Sequence, residues 1–165
     1  MEVGCGDGFG TPLVGQDVGT VLAVDWDVQL IESNVRRTAF FENCTFKQHD
    51  IISGPPGGRF DGVYSLDVIE HVDKKSEDAF MRHASANLVD DGMLIIGTPN
   101  VTSEAYASAS SKVGHINLKD AAGLKELVLL YMKTVVIFSM NDDVVHTGYY
   151  PMAHYLFAMG IGVKR

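Results

Sequence analysis

Short apolar segments alternate along the chain with longer segments in which apolar residues recur at helical spacing. Val21–Val24 is a continuous apolar run that ends at Asp25, a pattern typical of a buried parallel strand. Val28–Phe41 instead places apolar residues along one side of a helix. The predicted strands are Met1–Val3, Val21–Val24, Thr45–Asp50, Phe60–Leu66, Met93–Gly97, Lys133–Met140 and His154–Val163. The predicted helices are Thr11–Gln16, Val28–Phe41, Glu77–Leu88 and Asp120–Met132.

Strands that alternate with helices predict an α/β fold around a mostly parallel sheet, here with seven strands. We predict one domain over residues 1–165, because no linker, repeat or low-complexity stretch divides the chain. Polar segments interrupt the alternation at three places. Val89–Gly92 is predicted as a turn, Asn141–Pro151 as a loop, and Thr102–Lys112 as either a mobile loop or an ordered cover.

The composition narrows the classes of partner. The chain has 165 residues, of which 46% are hydrophobic and 21% charged, and its formal net charge is −8. An acidic chain without a basic run argues against nucleic acid as a partner. No segment reaches the roughly 18 consecutive apolar residues of a membrane span, and the N-terminus lacks the features of a signal peptide. We therefore expect a cytoplasmic protein.

The chain begins with an acidic residue followed by glycines at alternate positions. Glu2, Gly4, Gly6 and Gly8 precede Thr11-Pro12, which is suited to capping and beginning a helix. The pattern predicts a strand end, a turn that tolerates no Cβ, and a helix N-terminus that a ligand can approach closely. A tight glycine turn without a ligand is the alternative.

The glycine spacing separates two nucleotide-binding patterns. The dinucleotide fingerprint does not fit, because Phe9 or Thr11 occupies the position of its third glycine. The spacing instead resembles the cofactor loop of class I S-adenosylmethionine-dependent methyltransferases, and further segments follow in that family's order. These segments are His49–Ile51, Phe60–Val72 and Leu88–Ile96. Within them, Glu70–Val72 is typical of the branch that includes ubiquinone- and menaquinone-biosynthesis methyltransferases.

The resemblance implies a fold and a cofactor. It implies a Rossmann-like, doubly wound sheet with an antiparallel last strand and helices on both faces. It also implies S-adenosylmethionine as cofactor and S-adenosylhomocysteine as product. Helices that often precede the first strand in the family have no counterpart here. We therefore expect either a shortened or mis-started chain, or a site that a homodimer partner or another subunit covers.

Acidic residues that follow predicted strands are candidates for binding the cofactor. Asp25 lies about 20 residues beyond the glycine loop, the spacing at which a carboxylate reaches a ribose diol, unless it is an exposed loop aspartate. Trp26 either stacks on adenine or packs in the core, and Asp27 caps the next helix. Asp50 either accepts from the adenine amine, as the resemblance implies, or forms a turn. The full predicted set is Glu2, Gly4, Cys5, Gly6, Gly8, Asp25, Trp26, Asp50, Ile51, Ser65, Leu66 and His71.

The acceptor side is predicted from histidines. Methyl transfer requires alignment, and an acceptor hydroxyl must also lose a proton, for which histidine is the usual base. We predict His146 and His115 as proton acceptors and expect His71 to anchor the loop beside the cofactor. The loop Asn141–Pro151 offers carboxylates, an imidazole and phenols to a polar acceptor, although a polar surface hairpin explains it equally well. No metal is assigned, since no ligand spacing supports one.

These observations predict a methyltransferase that acts on a small polar acceptor, at the oxygen of a sugar-like or other hydroxylated metabolite. A quinone- or phenol-type acceptor is the alternative within the enzyme class, and Glu70–Val72 suggests it. An S-adenosylmethionine-binding partner subunit without catalysis is the alternative from another class. A dinucleotide-dependent oxidoreductase is disfavoured by the glycine spacing.

Overall fold

The structure is a computed structural model that describes residues 1–165. It contains eight strands in one sheet and five α-helices. The strands are β1 (Glu2–Val3), β2 (Val21–Asp25), β3 (Cys44–Gln48), β4 (Phe60–Leu66), β5 (Leu88–Pro99), β6 (Met132–Asn141), β7 (Val144–His146) and β8 (Tyr155–Val163). The α-helices are α1 (Thr11–Gly15), α2 (Val28–Arg37), α3 (Glu77–Ala86), α4 (Ala109–Gly114) and α5 (Ala121–Leu129). Short 3-10 helices cover Ile69–His71, Val101–Tyr106 and Tyr150–Met152.

The sheet has the strand order β3-β2-β1-β4-β5-β8-β6-β7. Neighbouring strands from β3 to β5 are parallel, whereas β8 is antiparallel to both β5 and β6. β6 therefore runs in the same direction as β1. Chain order reverses between β1 and β4, where a doubly wound sheet opens a crevice at the carboxyl ends of its strands. The predicted Rossmann-like fold, mostly parallel with an antiparallel last strand, is confirmed.

The sheet has one strand more than the seven that the sequence pattern predicts. The additional strand, β7, lies inside the predicted loop Asn141–Pro151 and pairs antiparallel with β6. Asp142 adopts a φ of 52° at the turn, a left-handed conformation that aspartate tolerates. The β-branched residues Val144 and Val145 then favour extended backbone. The loop prediction is therefore wrong for Val144–His146.

The predicted turn Val89–Gly92 is wrong as well, because these residues belong to β5. The ladder between β4 and β5 shifts register between Phe60 and Gly62, since β5 holds extra residues there. A Cβ on Gly92 would lie 2.9 Å from the carbonyl oxygen of Val89. The turn-forming composition of this segment therefore produces a bulge rather than a break between elements.

Helix boundaries follow the side-chain caps. Asp27 caps α2 as predicted, because its Oδ1 accepts from two N–H groups of the first turn. α2 ends at Arg37, before the predicted end at Phe41. Thr11 is the first residue of α1 rather than its cap, and its hydroxyl donates to the Glu2 carboxylate instead.

Helices lie on both faces of the sheet and bury two unequal cores. The larger core packs α3 and α5 on one face and includes the fully buried Phe80, Leu94 and Leu124. The smaller core packs α2 on the other face, where β4 to β8 leave an apolar groove of about 480 Å³. The groove is lined by Val14, Tyr64, Leu66, Ile95, Phe138, Val145, Phe157 and Met159. None of the helices has the length and apolar character needed to span a bilayer.

Candidate active site

A crevice of about 220 Å³ opens at the carboxyl ends of β1 and β2, next to the segment that follows β4. It lies where the chain order of the sheet reverses. Half of the predicted cofactor residues line it. These residues are Gly4, Asp25, Trp26, Asp50, Ile51 and His71. Strand topology and the predicted cofactor residues therefore indicate the same crevice.

The glycine loop between β1 and α1 has left-handed backbone at three positions. Gly4, Gly6 and Gly8 have φ values of 77°, 50° and 68°. A Cβ on Gly4 would lie 2.3 Å from Cγ2 of Val68. A Cβ on Gly8 would lie 2.7 Å from Cγ of Asn34, whereas no atom lies within 4 Å of the Cβ position of Gly6. Gly4 and Gly8 are thus packed against protein, and Gly6 borders open space that a ligand can enter.

Asp25 ends β2 and is bonded to the glycine loop. Its Oδ2 accepts from the N–H of Gly6 at 2.9 Å, and its Oδ1 accepts from the N–H of Asp27 at 3.0 Å. These two bonds fix the orientation of a side chain that is 8% exposed. Each carboxylate oxygen retains a lone pair, so Asp25 can also accept from hydroxyls of a ligand in the crevice.

The sequence left two alternative roles open for each of two further crevice residues, Trp26 and Asp50. Trp26 is 73% exposed on the rim of the crevice, so it does not pack in the core. Asp50 forms the predicted turn, since its Oδ1 accepts from the N–H of Ile52 at 2.9 Å. Asp50 also lines the crevice, beside the buried Ile51. The turn and a ligand contact are therefore compatible at this position.

Glu2 does not line the crevice. Its carboxylate accepts a hydrogen bond from the hydroxyl of Thr11 and so holds the first turn of α1 against the end of β1. Burial raises the pKa of Glu2 in spite of this bond. Glu2, the acidic residue before the glycines, therefore supports the glycine loop. Gly6 and Gly8 lie within that loop.

Side-chain direction keeps three other predicted residues away from the crevice. Cys5 packs into the smaller core, and burial raises the pKa of its thiol to about 12. The hydroxyl of Ser65 donates to the carbonyl of Val3 at 2.8 Å and ties β4 to β1. Leu66 points to the opposite face and lines the apolar groove. Only their backbone is available for the predicted cofactor contacts.

Glu70, His71 and His115 form a cluster beside the crevice, which His71 lines. One potential ligand atom from each residue lies within 4.8 Å of the others, and the two imidazole centroids are 5.3 Å apart. The segment Thr102–Lys112, which leads to His115, is ordered in a 3-10 helix and α4. The sequence singles out both histidines, whereas Glu70 enters only as part of the motif Glu70–Val72 and is not among the predicted site residues.

Backbone hydrogen bonds hold the segment after α4 against this cluster. The carbonyl of Glu70 accepts from the N–H groups of Ile116 and Asn117 at 2.9 and 3.0 Å. Nδ1 of His71 lies 2.9 Å from the carbonyl oxygen of Gly114. Because a carbonyl only accepts, Nδ1 is the donor in this bond, and Nε2 is left without a partner in the protein.

The carboxylate of Glu70 is fully buried but only half satisfied. Its Oε2 accepts from the hydroxyl of Thr98 at 3.1 Å, whereas Oε1 has no hydrogen-bond partner. Burial raises the pKa of Glu70, and the charge of Asp67 acts in the same direction. A buried polar atom left without a partner costs about 1–3 kcal/mol and therefore calls for an explanation.

His146 lies on the edge strand β7, which pairs only with β6. Its Nε2 is 3.2 Å from the side-chain nitrogen of Asn141, and no residue of 141–151 lines the crevice. β6 does run parallel to β1, so the loop after it emerges at the predicted edge of the sheet. Two strands, β5 and β8, nevertheless separate β6 from β4. The structure therefore does not bring His146 to the crevice, and its catalytic role stays a prediction.

Comparison with known proteins places the chain in a family. The family described as "Methyltransferase domain" matches residues 1–94. A mitochondrial ubiquinone biosynthesis O-methyltransferase of Arabidopsis thaliana is 35% identical over 115 residues, which are 66% of this chain and 34% of that protein. A probable S-adenosylmethionine-dependent methyltransferase of Mycobacterium tuberculosis is 31% identical over 101 residues, covering 61% of this chain and 35% of that protein. The chain spans about a third of the length of these relatives.

Solved structures share the fold at low sequence identity. The N-methyltransferase NodS of Bradyrhizobium japonicum, in complex with S-adenosylhomocysteine, has a TM-score of 0.73 at 16% identity, over 98% of this chain and 76% of that one. A complex between the Haloferax volcanii Trm112 methyltransferase activator and a putative methyltransferase gives 0.78 at 12% identity, over 98% and 80%. With the family match over more than half of its residues, the chain belongs to the class I S-adenosylmethionine-dependent methyltransferases.

Proposed function

We propose that this chain binds S-adenosylmethionine in the crevice and transfers its methyl group to a hydroxyl oxygen of a small polar molecule. The environment of Gly6 carries the proposal. Its Cβ position is open, and its N–H holds Asp25 at the crevice. Open backbone is therefore bonded to an oriented carboxylate that lines the crevice, which suits a ligand with a sugar diol that approaches the chain closely.

The adenosyl group has a partner for each of its parts. Asp25 accepts from the ribose hydroxyls with the lone pairs that the loop does not use. The exposed ring of Trp26 stacks on adenine, and Asp50 accepts from the exocyclic amine with Oδ2, the oxygen that the turn does not use. Ile51 and Val68 provide apolar contact within the same crevice.

The reaction in this proposal is an in-line displacement at the methyl carbon. The acceptor oxygen forms the new bond while the carbon–sulfur bond breaks, and S-adenosylhomocysteine leaves as a neutral thioether. The acceptor hydroxyl also loses its proton, which a neighbouring imidazole promotes. His71 lines the crevice and His115 lies next to it, with the ring centroids 5.3 Å apart, whereas Nε2 of His49 is occupied by the carbonyl of Gly54 at 2.7 Å. We assign the proton to the pair His71 and His115.

A phenolic or quinol acceptor is the second candidate. The Arabidopsis thaliana relative favours it, because that protein is a ubiquinone biosynthesis O-methyltransferase and is 35% identical to this chain over 115 residues. Both candidates transfer the methyl group to oxygen and differ in whether the hydroxyl is borne by an aromatic ring. Turnover of a panel of sugars, catechols and phenols with labelled S-adenosylmethionine discriminates between them.

Calorimetry with S-adenosylhomocysteine tests the proposal at Asp25. Replacing Asp25 by Asn removes the charge but keeps the size, and we expect affinity to fall by about 1–3 kcal/mol. Asp91→Asn is the matched control, since Asp91 is exposed and lies away from the crevice. Unchanged affinity in Asp25→Asn would remove the ribose assignment. Binding by the wild-type chain without turnover of any acceptor would favour a non-catalytic subunit.

A further inference from the structure

The cluster of Glu70, His71 and His115 contains more functional groups than a general base requires. A base needs one imidazole, but here two imidazoles converge on a carboxylate that is fully buried. Oε1 of that carboxylate receives no hydrogen bond from the protein. The cluster therefore has an unused carboxylate acceptor and two imidazoles close to it.

We propose that Glu70, His71 and His115 bind one divalent transition-metal ion on the side of the crevice that His71 lines. Two imidazole nitrogens and one carboxylate oxygen form a ligand set that suits Zn²⁺ and leaves a coordination position open. Mg²⁺ and Ca²⁺ prefer ligand sets made of oxygen alone. Ligand atoms of a tetrahedral zinc site lie about 3.4 Å apart. The observed separation, up to 4.8 Å, would have to shorten on binding, and the half-exposed ring of His115, which makes no side-chain hydrogen bond, can turn toward the ion.

The surroundings of the cluster orient its side chains as metal sites require. Metal-binding histidines usually donate the other ring N–H to a carbonyl or carboxylate. Nδ1 of His71 does so to the carbonyl of Gly114 at 2.9 Å, which leaves Nε2 for the ion. The hydroxyl of Thr98 holds Oε2 of Glu70 at 3.1 Å and leaves Oε1 free. A bound cation would satisfy this oxygen.

The role of the ion rests on the proposed function. His71 lines the crevice, so an acceptor hydroxyl bound to the ion would lie beside the methyl donor. In this arrangement both imidazoles bind the ion and do not act as the base; coordination lowers the pKa of the hydroxyl, and its proton passes to solvent. The resulting oxygen forms a bond to the methyl carbon, while the electron pair of the carbon–sulfur bond stays on sulfur. Because zinc can expand to five ligands, the favoured acceptor carries two neighbouring oxygens, as a catechol or vicinal diol does.

Titration of the metal-free chain with Co²⁺ tests the site through a signal that does not depend on activity. We expect visible absorption bands that saturate at one Co²⁺ per chain and disappear when Zn²⁺ is added. His115→Ala and Glu70→Gln should lose these bands, with affinity lowered roughly 10–100-fold or more. His154→Ala is the matched control, because His154 is exposed and outside the cluster. Circular dichroism checks that each variant is folded.

The outcomes separate this inference from the proposed function. Absence of stoichiometric Co²⁺ binding, or equal binding in wild type and His115→Ala, would overturn the metal site. Binding of S-adenosylhomocysteine to the same metal-free sample would leave the proposed function standing in that case. Conversely, Co²⁺ binding without any uptake of S-adenosylhomocysteine would support the site and remove the cofactor assignment. Loss of methyl transfer on chelation, with S-adenosylhomocysteine affinity retained, would support the role of the ion.

Discussion

The backbone N–H of Gly6 donates a hydrogen bond of 2.9 Å to Oδ2 of Asp25, joining the glycine loop to the end of β2. The left-handed backbone at Gly6 directs this N–H toward the carboxylate, with φ at 50°. The same residue leaves open space where a Cβ would stand. One residue therefore both positions the carboxylate and leaves room beside its backbone, and the proposed cofactor site depends on this pairing.

The variant Gly6→Ala tests ligand access at Gly6 without creating a clash inside the protein. The added Cβ meets no protein atom within 4 Å, so the cost to stability is limited to the left-handed backbone, about 1–2 kcal/mol. The methyl group enters the space assigned to the ligand, and we expect S-adenosylhomocysteine affinity to fall at least about tenfold, or 1.4 kcal/mol. Gly19→Ala is the control, since Gly19 also has open space but lies outside the loop. Calorimetry and urea unfolding give the two quantities, and retained affinity would show that the ligand passes elsewhere.

Trp26→Ala tests the adenine contact. Because Trp26 is 73% exposed, its removal should change the free energy of unfolding by no more than about 0.5 kcal/mol. Loss of base stacking should weaken S-adenosylhomocysteine binding by about 1–3 kcal/mol. Phe40→Ala, at a position 74% exposed beyond the far end of α2, controls for loss of a surface aromatic ring. Trp26 is the only tryptophan, so its fluorescence also reports binding directly, and no change on titration would argue against stacking.

Glu77 forms an ion pair with Lys119, which is 7% exposed and hydrogen-bonded to it. Burial by itself would raise the pKa of Glu77, but the bonds from Lys119 and Asn117 outweigh burial and hold the pKa below 4.5. Glu77→Gln should destabilise the fold by about 3–5 kcal/mol at neutral pH, because it leaves a buried ammonium unpaired. Glu126→Gln, on the exposed side of α5, should have little effect.

The pH dependence of this ion pair has a definite sign. A carboxyl whose pKa is lowered on folding stabilises the protein above its unfolded pKa, and this contribution is lost as pH falls through the folded value. The difference between wild type and Glu77→Gln should therefore be largest near neutral pH and shrink below pH 4.5. Urea unfolding at several pH values measures it. A difference that grew on acidification would contradict the assignment.

Thiol reactivity tests whether the glycine loop stays closed on the smaller core. Burial raises the pKa of Cys5 to about 12, so at pH near 8 its thiolate is scarce and inaccessible. A disulfide reagent should react with Cys44 in the native protein and with both thiols only after unfolding. Cys44→Ser should therefore show almost no native reaction. Rapid modification of Cys5 in that variant would show that the loop opens.

Several elements of the site follow from the sequence because they depend on strand topology. Carboxyl ends of parallel strands meet at one edge, so the order of strands along the chain is enough to bring Gly4, Asp25 and Asp50 together. Side chains also alternate regularly along a strand, so those of Ser65 and Leu66 point to opposite faces of the sheet. Ser65 is bonded to β1, and Leu66 lies in the apolar groove. The prediction of both residues as cofactor contacts overlooks this alternation.

Other features of the site depend on tertiary contacts, which the local sequence pattern does not show. Glu70 and His115 are far apart in sequence and meet because the Glu70 carbonyl binds two N–H groups of the segment after α4. The unpaired oxygen of Glu70 depends on which side chains surround it in the fold. The sequence predicts a loop at β7 because the flanking residues are polar, although Val144 and Val145 are good strand formers.

A crystal structure of the chain with S-adenosylhomocysteine would show whether the crevice holds the cofactor. We expect the adenosyl group in the crevice, with a ribose hydroxyl within about 2.5–3.0 Å of an Asp25 carboxylate oxygen and the ligand passing over Gly6. Density for the ligand at any other place, or a crevice filled by the protein's own side chains at saturating ligand, would contradict it.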